Sequence, residues 1–332
     1  MDIEVRRFSQ KDETEWDHFV SDNHRNATFL HLRKFFNHNP LNSEDDASLM
    51  FYKKNKLISV LPAAITEQAS ANVLNSHPRS TYGGYVLHDS VGVKDAVEIV
   101  NATVAFAADH QIDEIVIRNP FRIFHSLPSD ETDFAMWHHG FTLKYREIES
   151  VILLGENTRK YYDDSTLRSI KKSNKLVQVM PSDDWDAFWH ILEMNLTQKY
   201  HKRPTHSLED FNRLQSLLPK GLVKLFAAYQ EDNMIAGIVV FLANKKCLHA
   251  QYIASDSNYQ HLRPLNAIID YIVNWGVTER FTYLNLGTSN EQQGRLLNEG
   301  LFRFKEGFGA KGILREVMHL TVSNATLSHS HL

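Results

Sequence analysis

NLGTSNEQQGRLLNEGLFRFKEGFGA, from Asn285 to Ala310, is the stretch on which the rest of the chain turns. Tyr283 to Leu286 is a short apolar run, expected to be a buried strand, and it ends in the polar turn Gly287-Thr288-Ser289. Asn290 to Asn298 is predicted as a helix. A helix opening after Ser289 would offer free N–H groups to a phosphate or a carbonyl. Gly307 to Gly312 spells GxGxxG. That motif needs a strand before it and a helix after it. Here Ile313 to Val322 reads as a strand, so the glycines are read as the turn into a closing strand. The chain has no GxxxxGK[ST] and no GxSxG, which leaves no P-loop and no serine elbow.

Working outward, the order of elements repeats. In the second half Val223 to Tyr229 and Ile235 to Leu242 predict a hairpin, followed by a strand at Cys247 to Ala254. Leu265, Ile268, Ile269, Ile272, Val273 and Gly276 then fall on one face of a helix. In the first half Ser48 to Tyr52 and Leu57 to Ile65 predict the hairpin, with Asn72 to Ser76 as a further strand. Val93 to His110 is the helix, Ile115 to Ile117 the short buried strand, and Phe141 to Leu154 a long alternating strand. RSTYGGY, Arg79 to Tyr85, reads as a loop. Two copies of one unit account for this order. Between them lie helices at Ser165 to Lys175, around Trp185 to Leu196, and at Ser207 to Leu218.

The chain has 332 residues, room for two hydrophobic cores. No apolar run is long enough to span a bilayer and the N-terminus does not read as a secretory signal, so a cytoplasmic protein is expected. The single cysteine, Cys247, lies in a strand-like run and reads as a buried structural thiol. The 18 histidines are scattered, without HExxH or Cys/His spacing, so no metal site is expected. The formal charge of −4 argues against a dedicated nucleic-acid coat.

Charged and polar residues gather in three places. Arg168, Lys171, Lys172 and Lys175 form one basic helix face with no acidic residue between them. Lys199, His201, Lys202 and Arg203 follow the next helix. Together they read as a lining for phosphates, against the ordinary reading of a solvated surface. The third group is His249, Tyr252, Arg263, Asn285, Ser289, Arg303 and Lys305, all expected near the C-terminal ends of strands in one α/β unit.

The LNLG strand, the polar turn and GLFRFKEGFGA before a last strand resemble the C-terminal signature of the FemAB family. Ser165 to Lys172 is similar to that family's basic helix, and Lys199 to Phe211 to the stretch after it. The resemblance covers residues 155 to 322; before that it extends only to the order of elements. It implies an α/β (α+β) chain of two tandem GNAT-like acyltransferase lobes, each a mixed, mostly antiparallel sheet flanked by helices. The lobes would span 1–155 and 156–332, with the last strand, 313–322, able to return to the first. Family members move an amino acid from aminoacyl-tRNA onto a peptidoglycan precursor, and related proteins are held to use acyl-CoA. The family's Phe-Lys pair in the substrate channel corresponds to Phe304 and Lys305.

Two family features are missing. The coiled-coil arm that some members insert is absent, and the acyl-CoA loop [RQ]xxGx[GA] is replaced by Tyr259 to Pro264. The donor is therefore left open between acyl-CoA and aminoacyl-tRNA. The acceptor is expected to be an amine of a cell-envelope or nucleotide-sugar-type molecule.

Acyl transfer to an amine needs a neutral amine, donors for the carbonyl oxyanion and a proton for the leaving group. The expected roles are Lys305 and backbone N–H groups near Tyr252 at the oxyanion, and Tyr252 at the leaving group. His249 and His201 are the candidate bases. Phe304, Arg303, Asn285, Ser289, Arg263 and the basic residues are expected to hold substrate. A rival reading, a catalytically inactive GNAT-fold binding protein, is favoured by the missing loop and disfavoured by the unpaired basic faces. An RNA-interacting transferase would bind with steep salt dependence.

Overall fold

A computed structural model of the chain describes residues 3–22, 25–38, 45–78, 80–200, 204 and 206–325, without the side chains at 199 and 200. The chain divides into two compact units, Met1–Glu147 with Leu314–Leu332, and Ile148–Ile313.

The N-terminal unit starts with β1 (Glu4–Arg7), α1 (Glu13–Asp22) and the short α2 (Arg33–Phe36). β2 (Leu49–Lys53), β3 (Lys56–Leu61), β4 (Ala64–Gln68), β5 (Ala71–Asn75) and β6 (Val86–Leu87) follow. Pro62 and Ala63 break the expected single strand from Leu57 to Ile65 into β3 and β4. Proline supplies no N–H, so a ladder is readily interrupted there. α3 (Val93–Asp109), β7 (Glu114–Arg118) and α4 (Glu131–His138) come next. β8 (Thr142–Leu153) begins in this unit and ends in the other, so the division falls within a strand rather than after residue 155. β1, β2, β3 and β6 form one sheet in that order. β4 pairs antiparallel with β5, β5 parallel with β7, and β7 antiparallel with the last strand, β16 (Lys311–Thr321).

α3 places Ala96, Ile99, Val100, Val104 and Ala107 on one buried stripe. The stripe packs with Leu49, Phe51, Leu61, Ile115 and Ile117. Each fully buried valine, leucine or isoleucine here stabilises by about 2 kcal/mol.

The C-terminal unit runs α5 (Asp164–Ser173), β9 (Gln178–Ser182), α6 (Trp185–Tyr200), α7 (Leu208–Leu217), β10 (Val223–Gln230), β11 (Asn233–Leu242) and β12 (Cys247–Ser255). Then come α8 (Pro264–Thr278), β13 (Tyr283–Thr288), the small hairpin β14 (Asn290–Glu291) and β15 (Leu296–Leu297), and α9 (Glu299–Glu306). Its strand order is β8-β13-β12-β11-β10-β9. Ser207 caps α7 by accepting from the Asp210 N–H, as its capping-box spelling predicts. The periodic face of α8 is buried as read: Ile268, Ile269, Ile272 and Val273 pack on Leu248, Ala250, Leu284 and Leu286.

The hairpin corrects one expectation. Residues 290–297 form no helix, because Gln292, Gln293 and Gly294 all take positive φ and fold the chain into a tight turn. No helix therefore opens at Ser289, and the proposed anion site there is lost. The GxGxxG spelling lies where α9 turns into β16. Gly309 has φ +73, and a Cβ on it would sit 2.5 Å from Tyr161 Cβ, so both conformation and space demand glycine.

Candidate active site

β12 and β13 are parallel neighbours for only three residue pairs, the last being His249 with Asn285. Beyond that the two strands share no further register pair. β12 stays on β11 with one irregularity: Val239 pairs with Tyr252 and Val240 with Ala250, leaving Gln251 as an extra residue. A bulge of this kind takes its residue out of the ladder and shifts the facing of everything after it. Val239 and Phe241 share a face of β11, so their partners Tyr252 and His249 share a face of β12. Without the bulge, residues three apart would point to opposite faces.

The same face is polar across its neighbours. Leu284 and Leu286 pack toward α8, so Asn285 points the other way. On β8, Ile152 packs toward α8, so Val151 and Glu149 lie on the opposite face. Glu149, Asn285, His249 and Tyr252 thus form a row of polar side chains on one sheet face, exposed by only 1, 0, 7 and 8 %.

Lys305 comes to this row from α9, and it is 3 % exposed. Its Nζ donates to the carbonyls of Gly287 and Thr288 at 2.9 and 2.8 Å. Burial lowers its pKa to about 8, with the Glu149 carboxylate pulling the other way. α9 is fixed against the end of β13 at its other end too. Asn298 caps it by accepting from the Leu301 N–H, while its own N–H donates to Ser289 O at 2.9 Å. Asn285 Oδ1 accepts from the Gly287 N–H at 2.8 Å, which fixes the amide's orientation. Its Nδ2 is buried with no hydrogen-bond partner among the described residues, and so is Ser289 Oγ.

Tyr252 Oη lies 2.5 Å from His206 Nδ1. Trp189 and Phe211 wall the phenol at ring separations of 5.5 and 6.2 Å. Burial raises the Tyr252 pKa, so the phenol keeps its proton at neutral pH.

Of the residues read from sequence, Lys305, Asn285, Ser289, His249 and Tyr252 are buried in one region of this unit. Phe304 is half-buried against Phe308, and Arg303 is exposed on α9. Arg263 is exposed at the start of α8, in left-handed backbone with φ 59, followed by Pro264. Arg168 and Lys171 are exposed on α5, as is Lys172, whose Nζ donates to His261 O at 3.2 Å. His201, Lys202, Arg203 and the Lys199 side chain lie outside the described residues. Sequence reasoning missed Glu149 and His206. A single acid in the mostly apolar second half of a long strand was the available signal for Glu149.

Residues 166–305 match the family model of the acetyltransferase (GNAT) domain. The chain has the tandem GNAT fold. The crystal structure of FemX superposes with a TM-score of 0.69 at 12% identity, covering 95% of this chain and 96% of that one. The C-terminal domain of a protein named as a lysylphosphatidylglycerol synthetase, from Agrobacterium fabrum, gives 0.60 at 10% identity, covering 94% and 92%. A tandem GNAT protein from the clavulanic acid biosynthesis pathway gives 0.55 at 8%, covering 97% and 99%. At such identities the likeness concerns fold alone, and there the FemAB resemblance holds. No curated protein matches the chain. Among the described residues no helix is long and apolar enough to cross a membrane, and no cluster of metal-ligating side chains is found.

Proposed function

We propose that this chain is an N-acyltransferase whose donor carbonyl lies where β12 and β13 part, with the acceptor an amine of a cell-envelope precursor. The observation that carries the reading is the buried polar row at that parting, Glu149, Asn285, His249 and Tyr252, completed by Lys305. FemX and the synthetase-named neighbour favour an envelope-related acceptor, and both serve here as analogy.

The chemistry follows from the donors available. An ammonium has three N–H groups. Lys305 gives two to backbone carbonyls and keeps one for an oxyanion. Asn285 Nδ2 is a second such donor, oriented in advance by Gly287. Two fixed donors in a site shut off from water stabilise developing negative charge without reorganising. The amine attacks, the tetrahedral oxyanion forms, and its collapse expels the donor's leaving group. Tyr252 Oη supplies the proton to that group. His206 and His249 stand on the same side of β12 to take the proton that the amine loses.

The residues present do not make the glycine cradle by which an acyl-CoA pyrophosphate is held on backbone N–H groups. Leu262 is buried, Arg263 is left-handed, and Pro264 has no N–H to give. Arg263 and Lys172 offer charge there instead. A donor that carries phosphate, whether acyl-CoA or aminoacyl-tRNA, would be held by these side chains.

The test is a thermal-shift series with acetyl-CoA, CoA, an aminoacyl-tRNA and UDP-linked amino sugars, followed by mass analysis of the acceptor with the stabilising donor. A shift with one donor and an acylated amine are expected, the acylation but not the shift requiring Lys305. A chain that none of these ligands stabilises is a binding protein on a GNAT fold.

A further inference from the structure

Residues 159–176 carry six basic residues and two acidic ones, in a chain whose formal charge is −4. Both acids lie at the start of α5, and one of them, Asp163, is its N-cap, accepting from the Thr166 N–H. The helix buries only Thr166, Ile170 and Ser173. Arg168 and Lys171 stand on the opposite face, Lys175 is exposed just past the helix end, and none of the three makes an ion pair among the described residues. Three apolar side chains stand out among these cations: Tyr161 is 68 % exposed, Leu176 45 % and Leu167 37 %. It is the interleaving of these apolar side chains with unpaired cations, rather than the exposure of any one leucine, that marks the stretch.

We infer that this face is a docking surface for an anionic phospholipid bilayer. A helix lying in the plane of a bilayer places cations among lipid phosphates and sinks short apolar side chains to the acyl boundary. Leu167 and Lys171 are one turn apart on α5, and Lys175 and Leu176 are exposed just past its end, so cations and apolar side chains alternate along one exposed stretch. RNA would use the cations and leave Leu167 and Leu176 in water, so lipid fits the whole face better. The surface is mechanically tied to the site. Asp163 N–H donates to Gly307 O at 2.9 Å, two residues after Lys305, which fixes the start of α5 to the end of the helix that carries this lysine. A protein held by this face would keep Lys305 close to the membrane surface. The inference goes beyond acyl transfer and stands without it.

Vesicle flotation of the full chain tests it, with phosphatidylcholine alone and with phosphatidylglycerol added. Binding is expected only to the anionic vesicles. The triple variant R168Q/K171Q/K175Q should weaken binding about fivefold per cation removed, roughly hundredfold together. L167S/L176S should weaken it about tenfold with the charge unchanged. These positions are exposed, and an unaltered melting temperature checks that each variant is folded. Equal binding to neutral vesicles, or no binding to either, overturns the inference. So does L167S/L176S binding as the parent does while an RNA hairpin binds the parent and not the triple variant; that outcome assigns the face to RNA. Failure of acyl transfer would leave flotation unchanged, so the two readings fail separately.

Discussion

The two units part their parallel strands in the same way and fill the gap differently. In the N-terminal unit β5 and β7 pair for three residues, ending at Asn75 with Val116, as β12 and β13 do in the other. There the parting is sewn shut. Ser76 N–H donates to Val116 O, and Ser76 Oγ accepts from the Arg118 N–H, both at 2.8 Å. Gly83 then lies against the end of β7, its N–H on Arg118 O at 3.0 Å and its carbonyl facing His31 Nε2 at 3.0 Å. In the C-terminal unit the corresponding place holds side chains with donors to spare, Asn285 and Lys305. One architecture is thus closed by backbone in one unit and lined by polar side chains in the other, where the proposed site lies.

The sharpest break of this contrast is Lys305→Met, a swap of similar length without the charge. Turnover should fall about 10²- to 10³-fold with the donor's binding little changed. An unchanged kcat would move the chemistry away from this opening. The same lysine sets a pH limb: its proton leaves near pH 8, so turnover should fall as pH rises through that value, and the limb should be missing in Lys305→Met. For stability the sign is opposite. The folded value lies below that of the free side chain, so between about pH 8 and 10.5 the unfolded chain holds the proton more tightly. The cost of burying the ammonium, on the order of 3 kcal/mol, is present in full below pH 8 and relieved above it.

The backbone-closed opening should answer to acid instead. Burial lowers the His31 pKa to about 4, while its Nδ1 accepts from the Thr28 N–H at 3.0 Å. Its folded value lies below its unfolded value of 6.5, so stability is complete above about 6.5 and is lost as pH falls toward 4. The loss should reach on the order of 3 kcal/mol. Melting curves from pH 7 to pH 4.5 on the parent and on His31→Gln would show it, the variant having the flatter profile.

Gly83→Ala should cost about 1–3 kcal/mol, since the added Cβ would stand 3.0 Å from the backbone of Ser76 and His77. Acyl transfer should be unaffected at temperatures where the variant is folded. The smallest effect is expected from Ser76→Ala, about 1 kcal/mol by denaturant midpoint, with turnover unchanged. A loss of activity in either variant with folding intact would give the plugged opening a role in the chemistry.

The fold was legible because it is written in periods. The stripe on α8 and the strand-helix-strand order of both units follow from which residues must be buried. Lys305 and Asn285 were legible through the signature that surrounds them. The hairpin at 290–297 was not, because its polar residues have no apolar period, and only the positive φ of Gln292 and Gln293 tells turn from helix. His206 was not legible either. It is 46 residues from Tyr252 in the chain, and only the packing of α6 and α7 on the sheet brings them together. The bulge at Gln251 decides which side chains share a face, and one extra residue leaves no mark in the pattern of a strand.

The last strand has a consequence for how the protein is made. β16 completes its pairing on β7, in a unit whose other strands are synthesised well before it. On the ribosome the contiguous C-terminal unit can close as soon as Ile313 emerges, whereas the N-terminal unit waits for residues that come after it. Of the two units, the one translated earlier is thus the later to finish folding, with β7 open along one edge until β16 arrives.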